Sequence, residues 1–266
     1  MFANVSDVLV NSSTCQAVQC KELKPNYKRM SNRLAPVVKS TKKQYKMLLD
    51  KTIRENLDGK YLIIYGESFR EGIEYAAEID IPQIQLRNNT KCNSIDFKEL
   101  EKIPALKVIS FVGNTTKIIN LDSIYSLKDI QKIYFQQKQK FKIDISKFPN
   151  IKHIGAEYWK GLDCFNKANG LKSIVFSKFS GLDLKQMSVL QNLKILHIYS
   201  SRIQTLDGIE LLPIEELFLA RNNQLEDIQV IEKMNYLKNI TIEKCTKIRN
   251  YNLIENLRNK IKVSII

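Results

Sequence analysis

The chain has little of what several protein classes depend on. Its 266 residues include 9 Gly and 6 Pro, too few for a collagenous or low-complexity polypeptide. Continuous apolar stretches such as Leu62-Ile63-Ile64 fall far short of the roughly 18 residues that cross a bilayer, so no membrane span is expected. The first ten residues lack a basic n-region. Asn4, Ser6 and Asp7 interrupt their apolar side chains, so no secretory signal is expected either. The five cysteines (15, 20, 92, 164 and 245) are odd in number and widely scattered. Without a signal peptide this argues for reduced thiols and a cytoplasmic setting.

Catalytic and metal-binding signatures are scarce in the same way. There is no Gly-x-x-x-x-Gly-Lys-Ser/Thr loop and no His-Glu-x-x-His helix. Gly66-Glu-Ser68 stands between an expected strand and an expected helix, as in a nucleophile elbow, but Arg70 occupies the place of the second glycine. Ser68 followed three residues later by Glu71 reads instead as a capping box. Cys15 and Cys20 have the wrong spacing and no second pair for a structural zinc site. No cofactor, no metal and no enzymatic activity are expected.

Acidic residues are the last shortage. The 28 Asp and Glu face 42 Lys and Arg, a formal net charge of +14 and a pI near 9.4. Half of that excess lies in residues 1–60, which hold 12 basic and 5 acidic residues. Lys21, Lys24, Lys28, Arg29, Arg33 and Lys39 are interleaved there with Pro25, Tyr27 and Pro36. Residues 1–40 read as a basic, flexible, solvated leader. The alternative is contact with nucleic acid through residues 1–60, because clustered Lys and Arg neutralise phosphates. The overall 44% apolar and 26% charged residues fit a folded protein.

What the chain does have is a repeat. The pattern apolar-x-x-apolar-x-apolar returns at Leu106/Ile109/Phe111, Ile130/Ile133/Phe135, Ile151/Ile154/Ala156 and Leu171/Ile174/Phe176. It continues at Leu193/Leu196/Ile198, Ile214/Leu217/Leu219 and Leu237/Ile240/Ile242. An earlier copy sits at Ile81/Ile84/Leu86, and a last, incomplete one is read at Ile261/Val263. First positions recur about every 22 residues. The alternation within each triplet predicts a short strand. Each is followed by apolar residues spaced by three, such as Phe97/Leu100/Ile103, Leu121/Ile124/Leu127 and Ile228/Ile231/Met234, which predicts a 3-10 turn. One strand and one turn cannot bury their apolar faces alone; stacked copies share one core.

This pattern resembles the leucine-rich repeat family, with the motif L-x-x-L-x-L-x-x-N/C-x-L. The best stretch runs from Leu193 through Ile203 to Asn222. The resemblance covers about residues 81–266, and the repeat length is similar to the internalin-like and phosphatase-regulator-like subclasses. It implies an α/β solenoid of about eight repeats plus a terminal strand, with a curved parallel sheet on the concave side and 3-10 turns on the convex side. The ninth motif position departs from the family in the middle. Asn89, Asn114, Asn222 and Cys245 fit, whereas Lys138, Trp159, Phe179 and Ser201 interrupt the polar ladder. Trp159 and Phe179 are expected to replace hydrogen bonding by packing.

Residues 41–80 read as an N-terminal cap. Tyr61–Tyr65 is an expected buried strand and Ser68–Ile79 an expected helix, while Tyr45, Leu48, Leu49, Ile53 and Leu57 recur at helical spacing up to Gly59.

The resemblance puts function on the concave face. Its central column is expected to read Ser110, Tyr134, Gly155, Val175, His197, Phe218, Thr241, with Val112, Gln136, Glu157, Ser177, Tyr199, Ala220 and Glu243 beside it. Tyr134, His153, Tyr158, His197, Tyr199 and Phe218 form a candidate aromatic strip, in register as interface hot spots are. The two histidines are expected at the surface, too far apart to share a metal ion. Lys132, Lys152, Lys172 and Lys194 form a candidate basic rim, and Glu215 breaks the row of lysines at the second repeat position. The resulting expectation is a monomeric, non-catalytic scaffold for a folded, acidic protein partner, as an adaptor, a regulator or a neutraliser of a toxin or enzyme.

Overall fold

The computed structural model describes residues 49–50, 52–87, 94–113, 117–162 and 164–266. The leader expected over residues 1–40 lies outside the described residues, as do Asn89, Asn114 and the cysteines at 15, 20 and 92.

Eleven strands form one continuous sheet. They are β1 (Ile53–Asn56), β2 (Gly59–Tyr65), β3 (Gln83–Arg87), β5 (Val108–Val112), β7 (Lys132–Phe135) and β8 (His153–Glu157). They continue as β9 (Ser173–Ser177), β10 (Ile195–Tyr199), β11 (Glu216–Ala220), β12 (Asn239–Glu243) and β13 (Lys262–Ile265). Strands β4 (Ser94–Asp96) and β6 (Lys117–Ile119) make a separate parallel pair. From β2 onward every neighbour in the main sheet is parallel and in register. The connections carry 3-10 turns, among them Phe97–Lys102, Leu121–Ser126, Lys185–Met187 and Gln229–Lys233. This is the solenoid that the repeat predicts.

The inward residues of the strands and turns are the core. Each triplet of the seven clear copies is buried throughout. A run of rings threads the inside: Phe97–Phe111 centroids are 6.2 Å apart, Phe111–Phe135 4.8 Å and Phe135–Trp159 5.0 Å. Such pairs add about 0.5–1.5 kcal/mol each beyond the area they bury.

The ninth motif position shows how turns are held. Asn222 is fully buried; its Oδ1 accepts from the Ser201 N–H at 2.9 Å and its Nδ2 donates to the Ile198 carbonyl at 2.9 Å. Ser201 extends the polar ladder instead of interrupting it. Its hydroxyl accepts from the Phe179 N–H and donates to the Tyr199 carbonyl. Phe179 substitutes packing, lying 6.1 Å from Phe176, whereas Trp159 packs and also keeps a hydrogen bond, its indole N–H donating to the Phe141 carbonyl at 2.8 Å.

Three local expectations are corrected. Residues 53–57 are not helical: Ile53–Asn56 pairs antiparallel with β2, and Leu57-Asp58 is a two-residue turn closed by Gly59 at φ +105°. The Asn56 side chain accepts from the Asp58 N–H, a local bond that favours the turn over a helix. Helix α1 (Phe69–Glu78) does form, but without a capping box, because the Ser68 hydroxyl donates to the Tyr65 carbonyl in the preceding 3-10 turn Gly66–Ser68. In the last strand Val263 and Ile265, not Ile261 and Val263, pair with Ile240 and Ile242, although Ile265 is largely exposed and Ile261 packs against the core with Val263. Among the described residues no helix is long and apolar enough to cross a membrane.

Candidate functional site

The strand register places the concave columns residue by residue. Ser110 is opposite Tyr134, then Gly155, Val175, His197, Phe218 and Thr241. The next column carries Glu157, Ser177, Tyr199, Ala220 and Glu243 in the same order. Val108, Lys132, His153, Ser173, Ile195 and Glu216 make a third column.

The N-terminal hairpin leans onto this face. The Asp58 carbonyl accepts from Gln83 Nε2 at 2.6 Å, and the Asp58 carboxylate pairs with Lys132 Nζ at 2.5 Å, three strands away. Lys132 is therefore tied to the cap.

Two ring clusters follow. In the first, Tyr134 and His153 stand 4.9 Å apart, centroid to centroid. Gly155 makes room for them: a Cβ there would lie 2.8 Å from the Tyr134 ring, inside any normal contact. In the second, Phe218 lies 5.4 Å from His197 and 5.3 Å from Tyr199. His197 Nε2 donates to Glu216 Oε1 at 2.6 Å, and its Nδ1 shares a hydrogen bond with the Tyr199 hydroxyl at 3.3 Å. The imidazole is thereby fixed from both ends.

Burial differs from the expectation for both histidines. His153 is 7% and His197 4% exposed, because the neighbouring rings and strands close over them. They form the floor of the face, while Tyr134, Tyr199 and Phe218 are half-buried and present its surface. Burial, with Lys132 next in weight, pushes the His153 imidazole down to about 3, so it is neutral near pH 7. Its Nε2 has no hydrogen-bond partner. Burial also raises the Tyr134 and Tyr199 hydroxyls, which stay protonated and able to donate. The hydrogen bond from His197 keeps the Glu216 carboxyl ionised at lower pH than usual.

Tyr158 stands apart from the strip. It follows the end of β8, packs against the core and meets Phe179 edge-on at 4.9 Å and Phe165 at 6.4 Å. Alternation continued from Ile154 and Ala156 already places residue 158 on the inward side, so the concave position expected for Tyr158 is corrected.

The basic rim divides in two. Glu215 pairs with Lys194 at 2.8 Å and with Lys238 at 2.6 Å, and these two lysines hold its carboxyl down at about 2. Lys107, Lys152 and Lys172 are exposed and have no carboxylate partner among the described residues. Among those residues no group of three or more His, Cys, Asp and Glu is placed to hold a metal ion.

Strand, turn and ring spine together define a leucine-rich repeat solenoid, and a solved structure shows the same fold. No protein-family model matches the chain, and no curated protein matches it. Internalin C2 of Listeria monocytogenes is similar with a TM-score of 0.51 at 16% identity, over 74% of this chain and 84% of that chain. Internalin inlF of the same organism gives 0.48 at 15% identity, over 73% of this chain and 65% of that one. TLR13 in its complex with ssRNA13 gives 0.48 at 18% identity over 74% of this chain, which spans only 27% of that chain. The likeness to internalin C2 shows the fold alone.

Proposed function

We propose that this chain is a non-catalytic scaffold whose concave sheet docks a folded protein partner presenting acidic groups. The observation that carries the reading is the register of Tyr134, Tyr199 and Phe218. These half-buried rings stand on one face of one sheet, over a buried floor of His153, Val175 and His197. Large rings held rigid lose little side-chain entropy on binding, which is why such residues anchor interfaces.

Ten strand spacings of ~4.8 Å give a face roughly 48 Å long, ample for an interface of about 800 Å² per partner. The acidic character of the partner rests on Lys107, Lys152 and Lys172, the rim cations without an internal counter-ion. Lys132 and Lys194 already have theirs. Charges of this exposed kind chiefly raise association rates and the salt dependence of binding.

The test is affinity capture on the full chain, comparing it with a Tyr134→Ala, Tyr199→Ala, Phe218→Ala triple variant whose circular dichroism matches. Partners retained by the wild type and lost by the variant support the reading. Binding lost on raising salt alone, with the triple variant binding normally, assigns it to the lysines and overturns the aromatic face.

A further inference from the structure

A cavity of about 460 Å³ opens where the chain leaves β8, β9 and β10, lined by Lys138, Glu157, Tyr158, Lys178, Phe179, Ser180, Ser200 and Arg202. It lies in the stretch where the asparagine ladder gives way. Lys138 and Phe179 hold ninth positions that Asn or Cys takes in the regular motif. In place of a side chain that ties turn to turn, the fully buried Phe179 packs edge to face at 4.9 Å against the half-buried Tyr158, whose ring gives the cavity its apolar side. Departures from a pattern that the rest of a chain obeys are where function is found.

The polar side of the cavity is cationic. Three cations and one carboxylate line it. Glu157 is engaged with Lys178 at 3.0 Å, whereas Lys138 and Arg202 have no carboxylate partner among the described residues. Ser180 and Ser200 line the same opening and are exposed, so their hydroxyls are available as further donors. A dianion balances the lining. Arg supplies a planar fork for oxyanions, Lys a point charge, and the serines neutral donors.

We infer that this cavity, lined by Lys138, Lys178, Arg202, Ser180, Ser200 and the Tyr158 ring that Phe179 backs, is a binding site for a phosphomonoester carried on an apolar or aromatic body. Its volume falls in the usual range for small-ligand sites, with room beyond a phosphoryl group for that body against the Tyr158 ring. A carboxylate carries too little charge for the lining, and a free phosphate leaves the ring unused. The site lies beside the concave face and does not depend on the partner-docking reading.

The experiment is isothermal titration of phenyl phosphate, inorganic phosphate and glutamate into the full chain at matched ionic strength. Phenyl phosphate is expected to bind saturably at one site and more tightly than inorganic phosphate, with glutamate weakest. Lys138→Gln combined with Arg202→Gln should weaken phenyl phosphate at least tenfold, about 1.4 kcal/mol. Lys107→Gln combined with Lys172→Gln, which removes equal charge from the rim, should leave it within twofold. The concave triple variant should also bind it normally. Binding weaker than about 1 mM, equal affinity for phosphate and phenyl phosphate, or equal losses in the two charge variants would overturn the assignment.

Discussion

His153 gives the sharpest quantitative handle on the concave face. Its imidazole is 7% exposed and packed at a tilt against Tyr134, and its Nε2 is buried without a partner. Burial and the neighbouring Lys132 lower its titration from 6.5 to about 3, against a smaller opposing effect of Asp58. The native state therefore keeps it neutral between those values while the unfolded chain protonates it. The unfolded state binds the extra proton, so stability contributed by neutral burial is present above pH 6.5 and is lost as pH falls toward 3. The slope is about 1.4 kcal/mol per pH unit, or about 2 kcal/mol between pH 6.5 and pH 5. His153→Phe keeps a ring in the same place and removes the titration. Urea unfolding at pH 7 should find the two proteins within about 1 kcal/mol of each other. At pH 5 the variant should be the more stable by about 2 kcal/mol more than at pH 7. Carboxylates common to both proteins cancel in the difference. A gap that stays constant between pH 7 and pH 5 would refute the buried, neutral imidazole.

Other perturbations probe the scaffold. Asn222→Ala leaves the Ser201 N–H and the Ile198 carbonyl unpartnered inside the protein, and should cost about 3 kcal/mol in urea unfolding. Phe176→Ala empties a fully buried ring site between Phe165 at 5.2 Å and Phe179 at 6.1 Å, and should cost about 3–5 kcal/mol by the same assay. Gly155→Ala drives a methyl into the Tyr134 ring; thermal denaturation should show a loss of about 1–3 kcal/mol, and near-ultraviolet circular dichroism a change in tyrosine signal.

The repeat was legible because each triplet serves one purpose, and a period of two followed by a period of three has few other readings. Ile109, Ile133, Ile154, Ile174, Leu196, Leu217 and Ile240 all stand at equivalent buried positions. The cap was harder. Leu49, Ile53 and Leu57 match a helical period, yet Leu57 is the exposed tip of a turn, and nothing in the spacing reveals the pairing of Ile53 with Leu62. A local hydrogen bond from the Asp58 N–H to Asn56, followed by a glycine, was the available signal. At the site, alternation located Tyr134, His153, His197, Tyr199 and Phe218 on one face, but it carries no information on depth. His153 and His197 are floor residues because Gly155 admits the Tyr134 ring and Glu216 reaches His197, which are contacts between repeats. The cavity around Lys138 and Arg202 was foreshadowed only by the missing asparagines.

The central claim is that the concave rings, rather than the basic charge, hold a partner. Its most direct measurement is quantitative affinity capture with the full chain and with the Tyr134→Ala, Tyr199→Ala, Phe218→Ala variant at matched salt, after both are shown to be folded. The account predicts a protein partner bound by the wild type and lost from the variant, with Lys107→Gln and Lys172→Gln mainly slowing association. The same partner captured equally well by the folded triple variant would contradict it.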